Sequence, residues 1–241
     1  MSAGTTPASE QAAATAAMAS LVGSLADNKA ALARRYAEWG VSAPTLESAV
    51  AAAAMAQDEM GHARSTYPVL KALGIEAAGD EGLEGRGHRM AILDDELPDW
   101  MALIAANLLI DGVLTTFVAA CVDSSVTPMA QRARKILQEE GSHRVHGEAW
   151  AKRLCRSGEG DALVAALRET WEHAGRWMGP SDDPGARAAV ALGMFRRDPA
   201  FQREQVRAWL VELLAAESVE IALPEPTDWS RWDPERRRLQ P

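Results

Sequence analysis

Two Glu-x-x-His motifs contain the residues of this sequence that are best suited to chemistry. Glu59 and His62 lie in the stretch QDEMGHAR, and Glu140 and His143 lie in QEEGSHRVHG. Residues three apart on a helix share one face, so each motif would present a carboxylate and an imidazole side by side. Such mixed oxygen and nitrogen ligands suit iron or manganese better than they suit thiolate-binding metals. Each motif is either half of a metal site or a charged helix turn that faces water.

The neighbours of both motifs favour the metal site, because they predict that the motifs are buried. The residues that precede Glu140 at helical spacing are Ile136, Ala133 and Met129, and those that precede Glu59 are Met55, Ala52 and Ser48. Apart from the serine these side chains are apolar, and a helix turns such a face towards the core. A carboxylate or imidazole that is buried there without a partner destabilises the fold, so we expect a compensating group.

A third carboxylate, Asp111, is the only charged residue between Trp100 and Val122. This segment is long and apolar enough to resemble a membrane span, but a carboxylate at its centre would cost about 2.5–3.5 kcal/mol on insertion. No cluster of Lys or Arg flanks it. We therefore predict a buried helix of a helical bundle, whose aspartate needs a partner.

The spacing of the helices supplies that partner. In an antiparallel helix pair, residues equally far from the turn lie side by side. The point midway between Asp111 and Glu140 falls inside the predicted turn at 123–127, so we expect Asp111 to meet Glu140 and His143. A carboxylate on one helix and Glu-x-x-His on its neighbour form half of a di-iron or di-manganese carboxylate site.

The same rule applied to Glu59 leads to a lysine. The turn near 43–44 places positions 27–29 opposite Glu59, which leaves Asp27 and Lys29 as candidates. Lys29 shares its helix face with apolar residues such as Val22 and Leu32, whereas Asp27 shares its face with small and polar residues. We therefore expect Lys29 to point into the site and Asp27 to face solvent.

The helices that position these residues predict an all-α protein. Four long helices are expected at Ala8–Trp39, from Ser42–Thr45 to Leu73, at Pro98–Val122 and from Thr127 to just before Gly158. Shorter helices are expected at Asp161–Met178, Gly185–Phe195 and Pro199–Val219, before an irregular tail. Two long hairpins joined by the charged, glycine-rich connection 79–87 indicate a four-helix bundle. We divide the chain into a bundle with the metal site, residues 1–157, and a C-terminal helical extension packed on it, residues 158–241.

Composition disfavours several other classes of protein. The formal charge of −9 argues against a nucleic-acid-binding surface, which needs an excess of Lys and Arg. Two cysteines, Cys121 and Cys155, are too few for a disulfide framework and indicate reduced thiols. The N-terminal sequence lacks the cationic and apolar regions of a signal peptide. We expect a cytoplasmic protein that binds neither nucleic acid nor membrane.

The sequence resembles the phenylacetic acid catabolic protein family, the large subunits of phenylacetyl-CoA epoxidase. LADNKAALARRYAEW is similar to the structural subunit of that family, and QDEMGHA is similar to the catalytic subunit. The resemblance implies a ferritin-like fold, oxygen activation at a metal centre, and partner subunits that include a reductase. It implies that the metal ligands are Glu59, His62, Asp111, Glu140 and His143. It also implies that Lys29 replaces the glutamate of the first helix.

Lys29 changes the charge of the expected site. Four carboxylates would neutralise two divalent ions, whereas three carboxylates and one ammonium match a single divalent ion. Lys29 could pair with Glu59 and exclude one metal, act as a neutral nitrogen ligand, or be carbamoylated to regenerate a carboxylate. The remaining alternative is a helix lysine that extends to the surface and has no role.

These observations lead to one expected function and two alternatives. The first is a non-haem oxygenase or oxidase that uses one or two iron ions, or manganese, to activate O2 on a small organic substrate. An aromatic acyl thioester is one candidate substrate. Such a protein would form a homo-oligomer, or a hetero-oligomer with a homologous subunit, and would receive electrons from a reductase. The alternatives are a non-catalytic structural subunit, which the first helix and Lys29 favour, and metal storage without an organic substrate.

Five other residues have simpler interpretations. His146 either supports the site or lies on the surface, and the surface is favoured. His88 and His173 are expected to be structural or exposed. Tyr36 and Tyr67 fall on faces that point towards the site, where radical chemistry is one option and core packing is the favoured one.

Overall fold

The structure is a computed structural model that describes residues 8–75 and 87–240. It has an all-α, ferritin-like architecture, as predicted. Its helices are α1 (Ala8–Trp39), α2 (Leu46–Thr66), α3 (Val69–Ala72), α4 (Trp100–Ala105), α5 (Gly112–Ala120), α6 (Thr127–Arg156), α7 (Gly160–Trp177), α8 (Pro184–Ala191) and α9 (Pro199–Ala215). A 3-10 turn covers Ala91–Leu93, and a π-helix, Ala106–Asp111, joins α4 to α5. The connection predicted at 79–87 lies almost entirely outside the described residues.

The first hairpin forms from α1 and α2, which pack against each other. α1 has the predicted bounds, and the Thr45 side chain caps α2 by accepting a hydrogen bond from the Ser48 backbone nitrogen at 3.2 Å. The prediction that the second helix continues to Leu73 is wrong, because α2 ends at Thr66 and the short α3 follows Pro68. Proline has no N–H to donate and its ring crowds the preceding turn, so it interrupts the helix there.

The third long segment, residues 100–120, is the central helix of the bundle. Asp99 caps its start by accepting a hydrogen bond from the Ala102 backbone nitrogen at 2.7 Å. This segment is long and apolar enough to cross a membrane, but 72 % of its most apolar window is buried inside the protein. Every residue of the π-helix is buried, including Asp111 at its end. The segment is therefore a core helix, as predicted.

The second hairpin pairs this segment with α6, and the C-terminal helices pack around it. α7 contacts α4 and the π-helix, α8 contacts α1, and α9 contacts α5 and α6. The tail was predicted to be irregular, but it contains a two-stranded antiparallel ladder, β1 (Trp232–Asp233) with β2 (Arg238–Leu239). Buried contacts of Arg203 and Arg237 fasten this tail to α9 and α7. The C-terminal residues thus support the bundle rather than extend away from it.

Candidate metal centre

Four helical segments bring the predicted site residues together in the core of the bundle. The residues are Lys29 from α1, Glu59 and His62 from α2, Asp111 from the end of the π-helix, and Glu140 and His143 from α6. At most 4 % of any of these side chains is exposed. Ligand atoms of four of them, Glu59, Asp111, Glu140 and His143, lie within 4.8 Å of one another. This buried cluster could hold a metal ion.

The ammonium of Lys29 lies between the three carboxylates. Its Nζ donates hydrogen bonds to Asp111 Oδ1 at 2.5 Å, to Glu140 Oε1 at 2.7 Å and to Glu59 Oε1 at 2.9 Å. An ammonium has three donors and no acceptor, so these bonds use its full capacity. Burial opposes the charged form, but the three carboxylates outweigh burial and raise the pKa of Lys29 well above its ordinary value. This argues against the hypothesis that Lys29 is a neutral nitrogen ligand.

His143 contacts a buried carboxylate through one ring nitrogen and a more exposed one through the other. Its Nδ1 lies 3.2 Å from Asp111 Oδ2, and its Nε2 lies 3.3 Å from Asp58 Oδ2. Burial lowers the pKa of His143, but hydrogen bonds with Asp111 and Glu59 outweigh burial and raise it to about 11. Burial likewise raises the pKa of Asp111, yet Lys29 and His143 together hold it well below its ordinary value. These groups form a chain of ion pairs.

His62 repeats this arrangement on the first hairpin. Its Nδ1 lies 3.2 Å from Glu140 Oε1, and its Nε2 lies 2.7 Å from Glu139 Oε2. Burial lowers the pKa of His62, but the nearby carboxylates of Glu140 and Glu59 outweigh burial and raise it to about 9. With both imidazoles protonated, three cations and three buried carboxylates balance, so the cluster is compensated without a metal.

The donor set nevertheless fits one divalent ion. Glu59 Oε2 and His62 Nδ1 are buried 3.6 Å apart, and neither has a hydrogen-bond partner within the part of the chain that the structure describes. If both imidazoles lose their protons, three carboxylates and one ammonium leave two negative charges, which one divalent ion balances. Carboxylate oxygen and imidazole nitrogen are ligands that iron and manganese accept.

A layer of polar side chains surrounds the cluster. The Thr115 hydroxyl donates to Glu140 Oε2 at 2.9 Å, and Asn107 Nδ2 donates to the Tyr36 hydroxyl at 2.9 Å. The Tyr36 ring meets the His143 ring edge-on, with centroids 6.4 Å apart. Tyr36 is therefore a core residue beside the site, as expected. Contacts of this kind fix the orientation of ligand side chains.

A cavity of about 610 Å³ lies against the cluster, between the central helix, α6 and α9. Asp111 and Glu140 form part of its wall, together with Thr115 and the aromatic rings of Phe201 and Trp209. This volume lies in the range of small-molecule sites, roughly 300–1,000 Å³. A small organic molecule in the cavity would therefore contact two residues of the carboxylate cluster.

Asp27 is buried, which corrects the expectation that it faces solvent. Only 3 % of this residue is exposed. The Tyr67 hydroxyl donates to its Oδ1 at 2.7 Å, and the His88 backbone nitrogen donates to its Oδ2 at 2.9 Å. Both partners are distant in sequence, so the pattern of α1 alone did not reveal them. Tyr67, which was expected to point towards the site, binds this aspartate.

The remaining histidines lie in intermediate surroundings. His146 is half-buried, with its ring edge-on to Trp100 at a centroid distance of 6.1 Å, so it lies at the edge of the core rather than fully on the surface. His88 and His173 are half-buried as well. The His88 carbonyl accepts a hydrogen bond from Ser24 Oγ at 2.5 Å, a structural role that agrees with expectation.

The outer partners of the site were not predicted from the sequence. Asp58 and Glu139 directly precede Glu59 and Glu140, and each contacts the histidine of the opposite motif. The sequence did contain a signal, because both motifs begin with a pair of acidic residues: DExxH at 58–62 and EExxH at 139–143. Thr115 lies four residues after Asp111, one helical turn away, and was detectable only as a polar residue in an apolar segment.

The comparison with protein families agrees with this geometry. The family described as phenylacetic acid catabolic protein matches residues 1–239, which include all six clustered residues and the C-terminal helices. No curated protein matches the sequence. The match also covers the tail that packs against α7. The chain belongs to the phenylacetic acid catabolic protein family.

Proposed function

We propose that this protein is a non-haem, metal-dependent oxygenase that activates O2 beside an organic substrate. The observation that supports this most is the cavity of about 610 Å³ whose wall includes Asp111 and Glu140. A substrate in that cavity would lie next to the groups that could hold the metal. Storage of metal needs no such cavity, so the cavity favours an organic substrate over storage.

The clustered residues would have distinct roles. Glu59, Asp111, Glu140 and His143 would hold one iron or manganese ion, with His62 beside them. When bound, such an ion supplies redox chemistry with O2. The apolar helices exclude water from the site, and Thr115 orients Glu140 through its hydrogen bond. A monooxygenase inserts one oxygen atom and releases the other as water, using two protons and two electrons from a reductase. We propose such a reductase as a partner in the cytoplasm.

The lining of the cavity favours an anionic organic substrate. Besides its aromatic residues, the cavity is lined by three arginines, Arg144, Arg196 and Arg197. These cations stand out in a chain with a formal charge of −9. An aromatic acyl thioester of coenzyme A combines negative charges with an apolar arm, and it agrees with the family. We propose this class of substrate, with the apolar arm directed towards Asp111.

A second function is supported by a different observation. Lys29 pairs with three buried carboxylates without any metal, as a structural subunit that only scaffolds a catalytic homologue would require. Retention of both Glu-x-x-His motifs, of which the second contributes Glu140 to the cavity wall, opposes this alternative, because a scaffold does not need buried ligands. The family belongs to a multisubunit assembly, so both functions imply a partner chain.

Metal content and oxygen consumption separate the two functions. Protein loaded with Fe(II) without air should retain iron after desalting and consume O2 faster than the same concentration of free Fe(II). Glu140→Ala should lose most of the iron, whereas His173→Gln, which changes a half-buried histidine of α7, should bind iron like wild type. A wild-type protein that retains neither Fe(II) nor Mn(II) and does not react with O2 would support the scaffold.

A further inference from the structure

The Lys29 ammonium bridges the three carboxylates of the cluster, as a metal ion would. Lys29 comes from α1, the only one of the four long segments that contributes no acidic or histidine residue to the cluster, and none of its side chain is exposed. Each of its three N–H groups donates to a carboxylate of a different segment. The acceptors are Glu59 of α2, Asp111 of the π-helix and Glu140 of α6. Its ammonium therefore joins all four long segments through charged hydrogen bonds.

The charges of the clustered side chains set the number of divalent ions that the cluster can balance. A site for two divalent ions needs four negative charges, and this cluster has only three carboxylates. A carbamate on Lys29 would restore the fourth charge, but its oxygens would then meet three carboxylates in place of the present hydrogen bonds. A fixed ammonium instead compensates one carboxylate and leaves two charges, which match a single divalent ion.

We propose that Lys29 is a permanent substitute for a second metal ion. It limits the cluster to one divalent ion, and it keeps the carboxylates paired when no metal is bound, so that the bundle folds without metal. The first part rests on the proposed metal-dependent function, whereas the second part does not. Lys29 is thus a positioning residue that acts through the carboxylates, and not a surface lysine without a role.

Mn(II) binding tests the limit of one ion. We expect the wild-type chain to bind one Mn(II), measured by titration with electron paramagnetic resonance of the free ion. Lys29→Glu supplies the fourth carboxylate and should bind two. Two ions in wild type, or one ion in both proteins, would overturn the limit. If neither protein binds Mn(II), the proposed metal site fails, and with it this part of the inference.

Unfolding of the metal-free protein tests the structural role separately. With a chelator present, wild type should unfold cooperatively, and Lys29→Met should unfold at a clearly lower temperature because three buried carboxylates lose their cation. Lys135→Met, which changes an exposed lysine of α6, should match wild type. An unchanged midpoint for Lys29→Met overturns the inference. If Lys29→Met cannot be folded in chelator, Lys29→Glu replaces it. Lys29→Glu should then need Mn(II) to reach the wild-type midpoint, and full stability in chelator would overturn the inference.

Discussion

Gly147 of α6 lies directly against Asn107 of the π-helix, so closely that no side chain fits between them. A Cβ atom added to Gly147 would be 1.9 Å from Asn107 Oδ1 and 3.1 Å from a methyl carbon of Leu108. Asn107 cannot easily yield, because it is buried and donates to the Tyr36 hydroxyl beside the site. The absence of a side chain at position 147 therefore sets the distance between the helices that carry Glu140 and Asp111.

Gly147→Ala should destabilise the protein by about 1–3 kcal/mol, because overpacking must displace Asn107 or separate the helices. Gly141→Ala on the same helix is the matched control, since an added Cβ there meets no atom within 4 Å. That control should gain about 0.5–1 kcal/mol from the helix preference of alanine. Urea unfolding followed by circular dichroism measures both changes. Equal stability of the two variants would show that the helices are not closely packed at Gly147.

Two adjacent threonines allow a test of the support for Glu140. Thr115 Oγ1 donates to Glu140 Oε2 at 2.9 Å, whereas Thr116 Oγ1 donates to the Gly112 carbonyl of its own helix at 2.8 Å. Thr115→Val should weaken Mn(II) binding by about 10–100-fold, the usual effect of losing a hydrogen bond to a ligand. Thr116→Val should bind Mn(II) as wild type does. Calorimetric titration measures both affinities, and equal losses would refute a specific role for Thr115.

The metal-free protein should lose stability in alkaline solution. The pKa values of His62 and His143 in the folded protein are about 9 and about 11, above the ordinary value of about 6.5 for the unfolded chain. A raised pKa stabilises the folded state fully below pH 6.5 or so, and this stabilisation is lost as the pH rises through the folded values. As the pH rises, deprotonation of each histidine should therefore lower the free energy of unfolding by at most about 1.4 kcal/mol per pH unit. This loss occurs between the pKa of the unfolded chain and the pKa of the folded protein.

Urea unfolding in chelator at a series of pH values from neutral to alkaline measures this loss. His143→Gln should be less stable than wild type at neutral pH and should show a flatter profile above it. A wild-type stability that stays constant or rises over this interval would mean that the imidazoles are neutral in the folded protein.

Arg203 should hold the C-terminal tail in place. None of its side chain is exposed, its Nη1 donates to the Gly179 carbonyl at 2.7 Å, and its Nε donates to Glu225 Oε1 at 2.8 Å. Arg203→Met leaves the buried Gly179 carbonyl without this donor and removes one of the two arginines that pair with Glu225, so it should cost about 1–3 kcal/mol. It should also speed proteolysis within residues 224–240. Arg168→Met, at an exposed position of α7, is the control. Unchanged cleavage of Arg203→Met would show that other contacts suffice.

The relation between Asp111, Glu140 and Lys29 could be predicted from the sequence because it depends on regular helix geometry. Residues at equal distances from a turn meet across an antiparallel hairpin, and apolar neighbours identify the face that is buried. The structure confirms that these residues lie together. Whether they ligate a metal stays a prediction, as does the division of the chain at position 157.

Features that depend on distant parts of the chain could not be predicted in this way. Asp27 is buried because Tyr67 and the backbone of His88 bind it, and helix periodicity carries no information about either partner. The π-helix before Asp111 has no distinct hydrophobic period either. The tail ladder lacks the alternation of a longer strand, since each of its strands has only two residues. Tertiary contacts decide all three features.

The π-helix divides one continuous rod into two parts, α4 and α5, that pack mainly against different helices. A π turn differs in hydrogen-bond pattern from the α-helices on either side and so resets the direction in which each part presents its side chains. α4 faces α7, whereas α5 faces α6 and α9 and lines the cavity. Substitutions in α5 can therefore alter the shape of the cavity while the contact between α4 and α7 is kept. The shape of the cavity can therefore vary in this fold while the packing of α4 on α7 stays the same.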